Sequence, residues 1–139
     1  MKIPVDISTY ETKLSTMWLD ESGILCSVFK KGTIISMKNL VDSFEYTKKL
    51  AKGKKLFLLA DLTDISVPNK EVRDFAAVET PKFVSAYAII TNSPLSNLLA
   101  NMYLMLTKPP YPTKMFTNEK EAKAWLKQYL QLSKLTNEN

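Results

Sequence analysis

Residues 55–61 read KLFLLAD, and residues 85–91 read SAYAIIT. Each is a short continuous apolar run flanked by turn-forming residues, which is typical of a strand covered on both faces, as in a parallel sheet. Neighbouring parallel strands require a crossover connection, which is usually a helix. We therefore expect these two strands to lie at the centre of a sheet that carries helices.

A β-hairpin is predicted before the first of these strands. The strand candidates Lys13–Leu19 and Ile24–Phe29 are joined by DESG at positions 20–23, with glycine at the last position of a tight turn. Strands joined by so short a turn must be antiparallel. The sheet is therefore expected to be mixed.

Four helices are predicted from capping residues and from apolar positions at helical spacing. The first is expected to end at Gly53 and the second at Pro81. The third begins with a cap residue followed by proline. A short strand, Thr113–Phe116, precedes the fourth helix. The four predicted N-caps are Ser36, Asn69, Ser93 and Thr117.

The resulting order ββαβαβαβα predicts one α/β domain over residues 1–139. Its sheet should be mixed and five-stranded, with an opening antiparallel hairpin and about four helices. Residues 1–11 are expected to form an N-terminal arm, and residues 134–139 a polar tail, both loosely held.

The composition excludes several kinds of chemistry. The chain has no His and one Cys, which excludes Ser-His and Cys-His nucleophile pairs, His-ligated zinc and an internal disulfide framework. We expect a protein that is not an enzyme and has no catalytic residues, metal or cofactor. The net charge of +5 comes from lysines, with Arg73 the single arginine. That argues against specific nucleic-acid binding, which usually relies on arginine.

The sequence also bears on location. No run approaches the roughly 20 apolar residues that a membrane-spanning helix needs. The opening residues MKIPVDIST contain no apolar signal segment, and the lone Cys26 suits a reducing compartment. We therefore expect no transmembrane segment and a cytoplasmic location.

The order of elements and three segments resemble the SpoIIAA-like fold, the group that contains STAS domains and SEC14-like bacterial domains. The likeness covers residues 13–132. The segments are LLADLTDIS at Leu58–Ser66, AIITNSPLSNLLANMYL at Ala88–Leu104, and PTKMFTNEKEAKAWL at Pro112–Leu126. The resemblance implies a SpoIIAA-like (STAS) fold for this chain.

The same resemblance implies a regulatory function, because most STAS proteins act by docking on another protein. Their phosphorylated serine lies in an Asp-Ser-Ser-Gly turn, whereas the corresponding residues here read SVPNKEV at Ser66–Val72, so that switch is not carried over. Our leading hypothesis is a non-catalytic regulatory or scaffolding module of a bacterial cytoplasm. It would dock on a protein partner or on a second copy, as a homodimer.

The predicted docking edge follows the first central strand and continues into the second helix. Its paired acids, Asp61 and Asp64, could instead serve acid–base or Mg²⁺ chemistry in an enzyme, and ordinary turn formation is the simpler alternative. Likewise Asn69 could merely cap the helix, and Arg73 could pair with nearby acids. The candidate residues are Asp61, Thr63, Asp64, Ser66, Asn69 and Arg73.

A second hypothesis is a carrier or sensor of a small apolar ligand or lipid, a function that the SEC14-like relatives imply. It would use the third predicted helix and the turn Lys108–Pro112, and a large apolar pocket there would favour it. That helix has more apolar positions than one buried stripe requires, so it could form an apolar groove or a dimer face, or be buried on both sides. The residues are Leu98, Leu99, Met102, Tyr103 and Leu106.

Lysines form the densest charged cluster at positions 48, 49, 52, 54 and 55. A solvated helix end is the simplest interpretation, and contact with acidic lipids or nucleic acid is the alternative. The lipid alternative would gain support if Lys120, Lys123 and Lys127 met this cluster in space.

Overall fold

The computed structural model describes residues 1–63, 65–92, 97, 100 and 108–137. Six strands of the described residues form one sheet in the order β1-β2-β3-β4-β5-β6. The strand β2 is antiparallel to both β1 and β3, and β3 to β6 run parallel. The strands are β1 (Tyr10–Glu11), β2 (Ser15–Leu19), β3 (Leu25–Phe29), β4 (Leu56–Asp61), β5 (Val84–Ile90) and β6 (Thr113–Phe116).

The described residues also contain three α-helices. These are α1 (Met37–Ala51), α2 (Lys70–Glu79) and α3 (Glu119–Asn137), and a 3-10 turn, Thr80–Lys82, follows α2. The mixed sheet with its opening hairpin is confirmed, and both β4 and β5 have a strand on either side. Of the helix predicted from Ser93 to Leu106, the structure describes residues 97 and 100, which are helical, and the others lie outside the described residues.

Two bounds of the predicted fold are wrong. The sheet has a sixth strand, because Tyr10 and Glu11 pair with Met17 and Thr16 inside the predicted arm. Two residues are too short a segment to show the alternation by which strands are recognised. The last helix continues to Asn137, three residues beyond the start of the predicted polar tail at Lys134.

The helix caps were predicted from local chemistry, and two of them are confirmed. The side chain of Ser36 accepts a hydrogen bond from the amide of Asn39, and that of Asn69 accepts one from Val72. The prediction for Thr117 is wrong, since the side chain of Asn118 accepts the amide of Glu121 at 2.9 Å. Both residue types are good caps, so the sequence alone did not separate them.

The helix α3 lies on one face of the sheet, and α1 and α2 lie on the other. The helix α3 packs through Ala122 and Leu126 against Leu59, Ala86 and Ala88, all of which are fully buried. Small side chains on β5 leave room for this close approach. On the other face, Leu40 of α1 and Val72 of α2 belong to one buried cluster. The two faces therefore have separate cores.

Aromatic contacts connect α1, α2 and the start of β5 on one face of the sheet. The ring of Phe44 on α1 stacks on Phe75 of α2 with centroids 6.0 Å apart, and meets Phe83 edge-on at 5.0 Å. Phe83 directly precedes β5, so these rings fix both helices relative to the sheet. Among the described residues, no helix is long and apolar enough to cross a membrane.

Candidate functional site

A pocket of about 530 Å³ lies between the sheet and helices α1 and α2. Leu58 of β4 and Tyr87 and Ile89 of β5 form part of its floor, and Phe44 and Ala76 belong to its helical wall. Most of the lining is apolar. We call it the sheet-face pocket; its volume falls within the range of small-molecule sites, roughly 300–1,000 Å³.

The alternation of β5 explains why the pocket is on this face. Ala86, Ala88 and Ile90 point towards α3 and are buried, whereas Tyr87 and Ile89 point the other way and are half-buried. The run SAYAIIT thus has one filled face and one face with accessible apolar surface. This strand is therefore covered less completely on the pocket face than on the face under α3.

A few polar side chains interrupt the apolar lining. The side chains of Thr80 and Tyr111 are hydrogen-bonded to each other, and both residues line the pocket together with Tyr87. Burial raises the pKa of the Tyr87 phenol, and the nearby Tyr111 raises it further. Burial also raises the pKa of Tyr111, although its hydrogen bond with Thr80 opposes this effect. Both phenols therefore stay neutral at ordinary pH and can donate hydrogen bonds.

A cationic side chain lies near each end of the pocket. Arg73 is in the first turn of α2, which follows the carboxyl end of β4, and its Nη1 donates to the carbonyl of Pro68 at 2.6 Å. Lys108 lies in the segment that leads into the start of β6, at the other end of the strands. Both side chains are exposed, so either one could bind an anionic group of a ligand at its end of the pocket.

Two residues of the predicted docking edge, Asp61 and Asn69, use their side chains in contacts that hold the local structure. The carboxylate of Asp61 is buried, accepts the amide of Thr63 at 3.0 Å and its hydroxyl, and contacts the amino group of Met1. Asn69 caps α2, as the simpler alternative for it supposed. Ser66 is exposed and does not cap the helix. The docking role of this edge stays a prediction.

Asp64 lies outside the described residues, so its separation from Asp61 is not defined. Within the part of the chain that the structure describes, no three His, Cys, Asp or Glu side chains are grouped as a metal site would require. The predicted groove residues, Leu98, Leu99, Met102, Tyr103 and Leu106, are also outside the described residues. The predicted turn that follows them does line the sheet-face pocket, through Lys108, Pro109, Pro110 and Tyr111.

Sequence reasoning missed Tyr87 and Thr80 as site residues. The alanines on either side of Tyr87 were the available signal, because small–large alternation in an apolar strand indicates two unequal faces. Thr80 had no such signal, since its position depends on how α2 ends against the sheet.

The lysine groups do not lie on a shared helical surface. Lys48 and Lys49 are on α1, whereas Lys120, Lys123 and Lys127 are on α3, which packs on the opposite face of the sheet. Lys123 is within ion-pair distance of Asp20 and Glu119, at 3.5 and 3.4 Å. The two lysine groups therefore have different surroundings.

The strand order, the opening hairpin and the helices on both faces define an α/β protein with one mixed sheet. The chain belongs to the family described as Domain of unknown function (DUF7793), whose model matches residues 17–130. It is similar to the crystal structure of an uncharacterised DUF3478 protein with a SpoIIAA-like fold from Shewanella loihica PV-4. That match has 15% identity and a TM-score of 0.58, and covers 91% of this chain and 98% of that one. At this identity the likeness shows the fold alone, and it confirms the SpoIIAA-like resemblance at that level.

A protein of unknown function from Arthrobacter sp. FB24 is 27% identical, over 79% of this chain and 90% of its own. Its TM-score of 0.30 carries no structural argument. The comparison with curated proteins gave no match.

Proposed function

We propose that the protein binds a small apolar or amphipathic molecule in the sheet-face pocket, as a carrier or sensor. The observation that carries the proposal is the pocket itself, about 530 Å³ of space lined mainly by apolar side chains. An apolar cleft of this size is typical of small-molecule sites.

The polar groups of the pocket suggest how a ligand would be oriented. Tyr87, Tyr111 and Thr80 supply neutral hydroxyls, while Leu58 and Ile89 supply apolar surface. A few placed polar groups in an apolar lining are typical of sites that fix one end of a ligand and bury the rest. We infer a ligand with an apolar body and one polar end.

The test is a titration with a fluorescent fatty-acid analogue, preceded by native mass spectrometry to detect a retained ligand. The variant Ala77→Trp places an indole at the pocket wall. We expect it to lower the affinity for the probe at least about tenfold, roughly the loss of one well-placed contact.

The matched control is Ala124→Trp, an exposed position on α3 on the opposite face of the sheet. This control should bind the probe like the wild type. Equal affinity of the wild type and both variants would exclude the pocket as the binding site.

Docking on a protein partner is the second candidate, and exposed apolar side chains favour it. Val67 is 80% exposed within the predicted docking edge, and Ile34 is 79% exposed in the loop that follows β3. Both loops follow the carboxyl ends of parallel strands, so they share one edge of the sheet. A contiguous exposed apolar patch is typical of interaction surfaces, and these two side chains could contribute to one.

Sedimentation velocity across a concentration series tests the homodimer form of this candidate. If two copies associate through this edge, Val67→Asp should weaken the dimer. Val5→Asp, at a fully exposed position of the N-terminal arm, should not. A monomer at every concentration would exclude self-association.

A further inference from the structure

Lysines collect at the edge of the sheet where the parallel strands begin. Lys54 and Lys55 directly precede β4, and Lys82 precedes β5, which is parallel to β4. The helix α1 ends at the same edge, since the amide of Lys54 donates to the carbonyl of Ala51 at 3.1 Å. Lys108 leads into β6. The lysine edge, as we call it, consists of Lys48, Lys49, Lys52, Lys54, Lys55, Lys82 and Lys108.

Two of these side chains, Lys48 and Lys82, are also neighbours in space. Glu79 lies between Lys48 and Lys82, with ion-pair distances of 3.3 and 3.1 Å. The ammonium group of Lys48 also lies 5.9 Å from the centre of the Phe83 ring. The amide of Leu56 donates to the carbonyl of Phe83 at 2.8 Å, which ties the start of β4 to the start of β5.

Few acidic residues lie near the lysine edge to neutralise its positive charge. No Asp or Glu stands at positions 46–60 or 80–118 of the sequence. Glu79 forms ion pairs with Lys48 and Lys82. Within the described ranges, no acid lies at ion-pair distance from the five other lysines of the edge. Some lysines elsewhere have an acid of their own, such as Lys70 with Asp74 and Lys123 with Asp20. The seven lysines of the edge are all exposed, so the edge presents a concentrated positive charge.

The sheet-face pocket reaches the same edge. Thr80 and Phe83, which flank Lys82, line the pocket, and so do Lys108 and Tyr111. The polar end of the pocket thus lies beside Lys82 and Lys108. An anionic bilayer fits both features, because its headgroups complement the lysines and its acyl chains match the apolar pocket.

We propose that the lysine edge binds the surface of an anionic lipid bilayer, with the polar end of the pocket, at Thr80 and Tyr111, facing the membrane. The choice of a bilayer over other polyanions rests on the proposed function, because the adjoining apolar pocket is what distinguishes them. The single arginine, Arg73, lies at the other end of the pocket, so this edge lacks the side chain that nucleic-acid recognition favours. Binding would depend on charge and would require no membrane-spanning segment.

The test is co-sedimentation with vesicles of phosphatidylcholine, with and without about 30% phosphatidylserine, a fraction chosen to give an anionic surface. We expect binding only to the anionic vesicles and its loss at about 0.5 M NaCl, where charge interactions are screened. Each lysine near an anionic surface strengthens binding about fivefold, so Lys49→Gln/Lys54→Gln/Lys55→Gln should weaken it about 100-fold.

The control variant Lys120→Gln/Lys127→Gln/Lys134→Gln removes the same charge from exposed positions on α3. It should bind vesicles within a few-fold of the wild type. No binding by the wild type, or an equal loss in both triple variants, would overturn the lysine edge as a membrane site. Tighter binding of single-stranded RNA than of vesicles, with the same dependence on the three edge lysines, would also overturn it.

Binding of the fluorescent fatty-acid analogue, measured without vesicles, separates this proposal from the proposed function. Vesicle binding without probe binding would support the lysine edge and contradict the pocket. Probe binding without vesicle binding would overturn the lysine edge and leave the pocket in place.

Discussion

Tyr87 and Ala88 are consecutive residues of β5, yet Tyr87 lines the sheet-face pocket while Ala88 is fully buried in the core beneath α3. Adjacent side chains of a strand point to opposite faces of its sheet. The two faces therefore differ in packing. Among the described residues, one face is filled by α3, whereas the other borders the sheet-face pocket.

This difference predicts unequal responses to substitution. Ala88→Leu adds carbon atoms to a filled core and should lower the free energy of unfolding by about 1–3 kcal/mol. Tyr87→Phe removes a hydroxyl from the pocket without overpacking it and should change the free energy of unfolding by less than about 1 kcal/mol. Urea unfolding followed by circular dichroism measures both. Similar losses in the two variants would contradict the assignment of filled and open faces.

The start of α2 depends on one side chain. The Oδ1 atom of Asn69 accepts the amide of Val72 at 3.0 Å, which satisfies one of the free amides of the first turn. Asn69→Ala should lower the free energy of unfolding by about 1 kcal/mol, and Asn69→Asp should preserve it. The same urea titration tests the pair. An alanine variant as stable as the wild type would show that this cap contributes nothing.

Local signals account for the part of the fold that was predicted. The caps Ser36 and Asn69 and the bounds of β6 are set by neighbouring residues, so they could be identified from the sequence. The strand β1 was missed because its two residues become a strand only by pairing with Met17 and Thr16. Thr117 and Asn118 are adjacent cap formers, and the geometry after β6 selects the second.

The pocket could not be predicted in the same way. Its existence depends on how far α1 and α2 stand from the sheet, which the rings of Phe44, Phe75 and Phe83 fix by tertiary contact. The turn Lys108–Pro112 was predicted as part of an apolar site and does line the pocket. The lysines of the edge were recognised only as a cluster within one segment, since Lys82 and Lys108 join them through the parallel strand order.

The carboxyl group of Asp61 should make the free energy of unfolding depend on pH in acidic solution. Burial acts to raise the pKa of this carboxyl, but the amino group of Met1 and hydrogen bonds from Thr63 outweigh it, so the pKa lies below its ordinary 3.8. The folded state thus binds this proton more weakly than the unfolded chain. The stabilisation is present above the ordinary pKa and is lost as the pH falls through the folded-state pKa.

Asp61→Asn should therefore be less stable than the wild type at pH 7, and its stability should vary less between about pH 5 and pH 2. Thermal unfolding at a series of pH values measures the difference. Asp6→Asn, at an exposed position, is the control and should follow the wild type. A wild type and an Asp61→Asn variant with parallel pH profiles would contradict the role of this carboxylate.

Cys26 should report the opening of the filled core. Its side chain is fully buried, and burial raises the pKa of the thiol to about 12, although the ammonium of Lys123 opposes the shift. Because the thiolate is the reactive form, alkylation by iodoacetamide at about pH 8 should be very slow in the folded protein. It should accelerate in urea in step with global unfolding.

The matched comparison is Cys26→Ala/Ser27→Cys, which moves the thiol by one residue to the half-buried face that lines the pocket. This variant should react at least about tenfold faster in the folded state, since access and thiolate formation both improve. Fatty acid bound in the pocket should slow labelling of the relocated thiol in this variant while leaving Cys26 in the wild type unaffected. Fast labelling of Cys26 in the native protein would mean that the α3 face opens locally, and the contrast between the two faces would then be wrong.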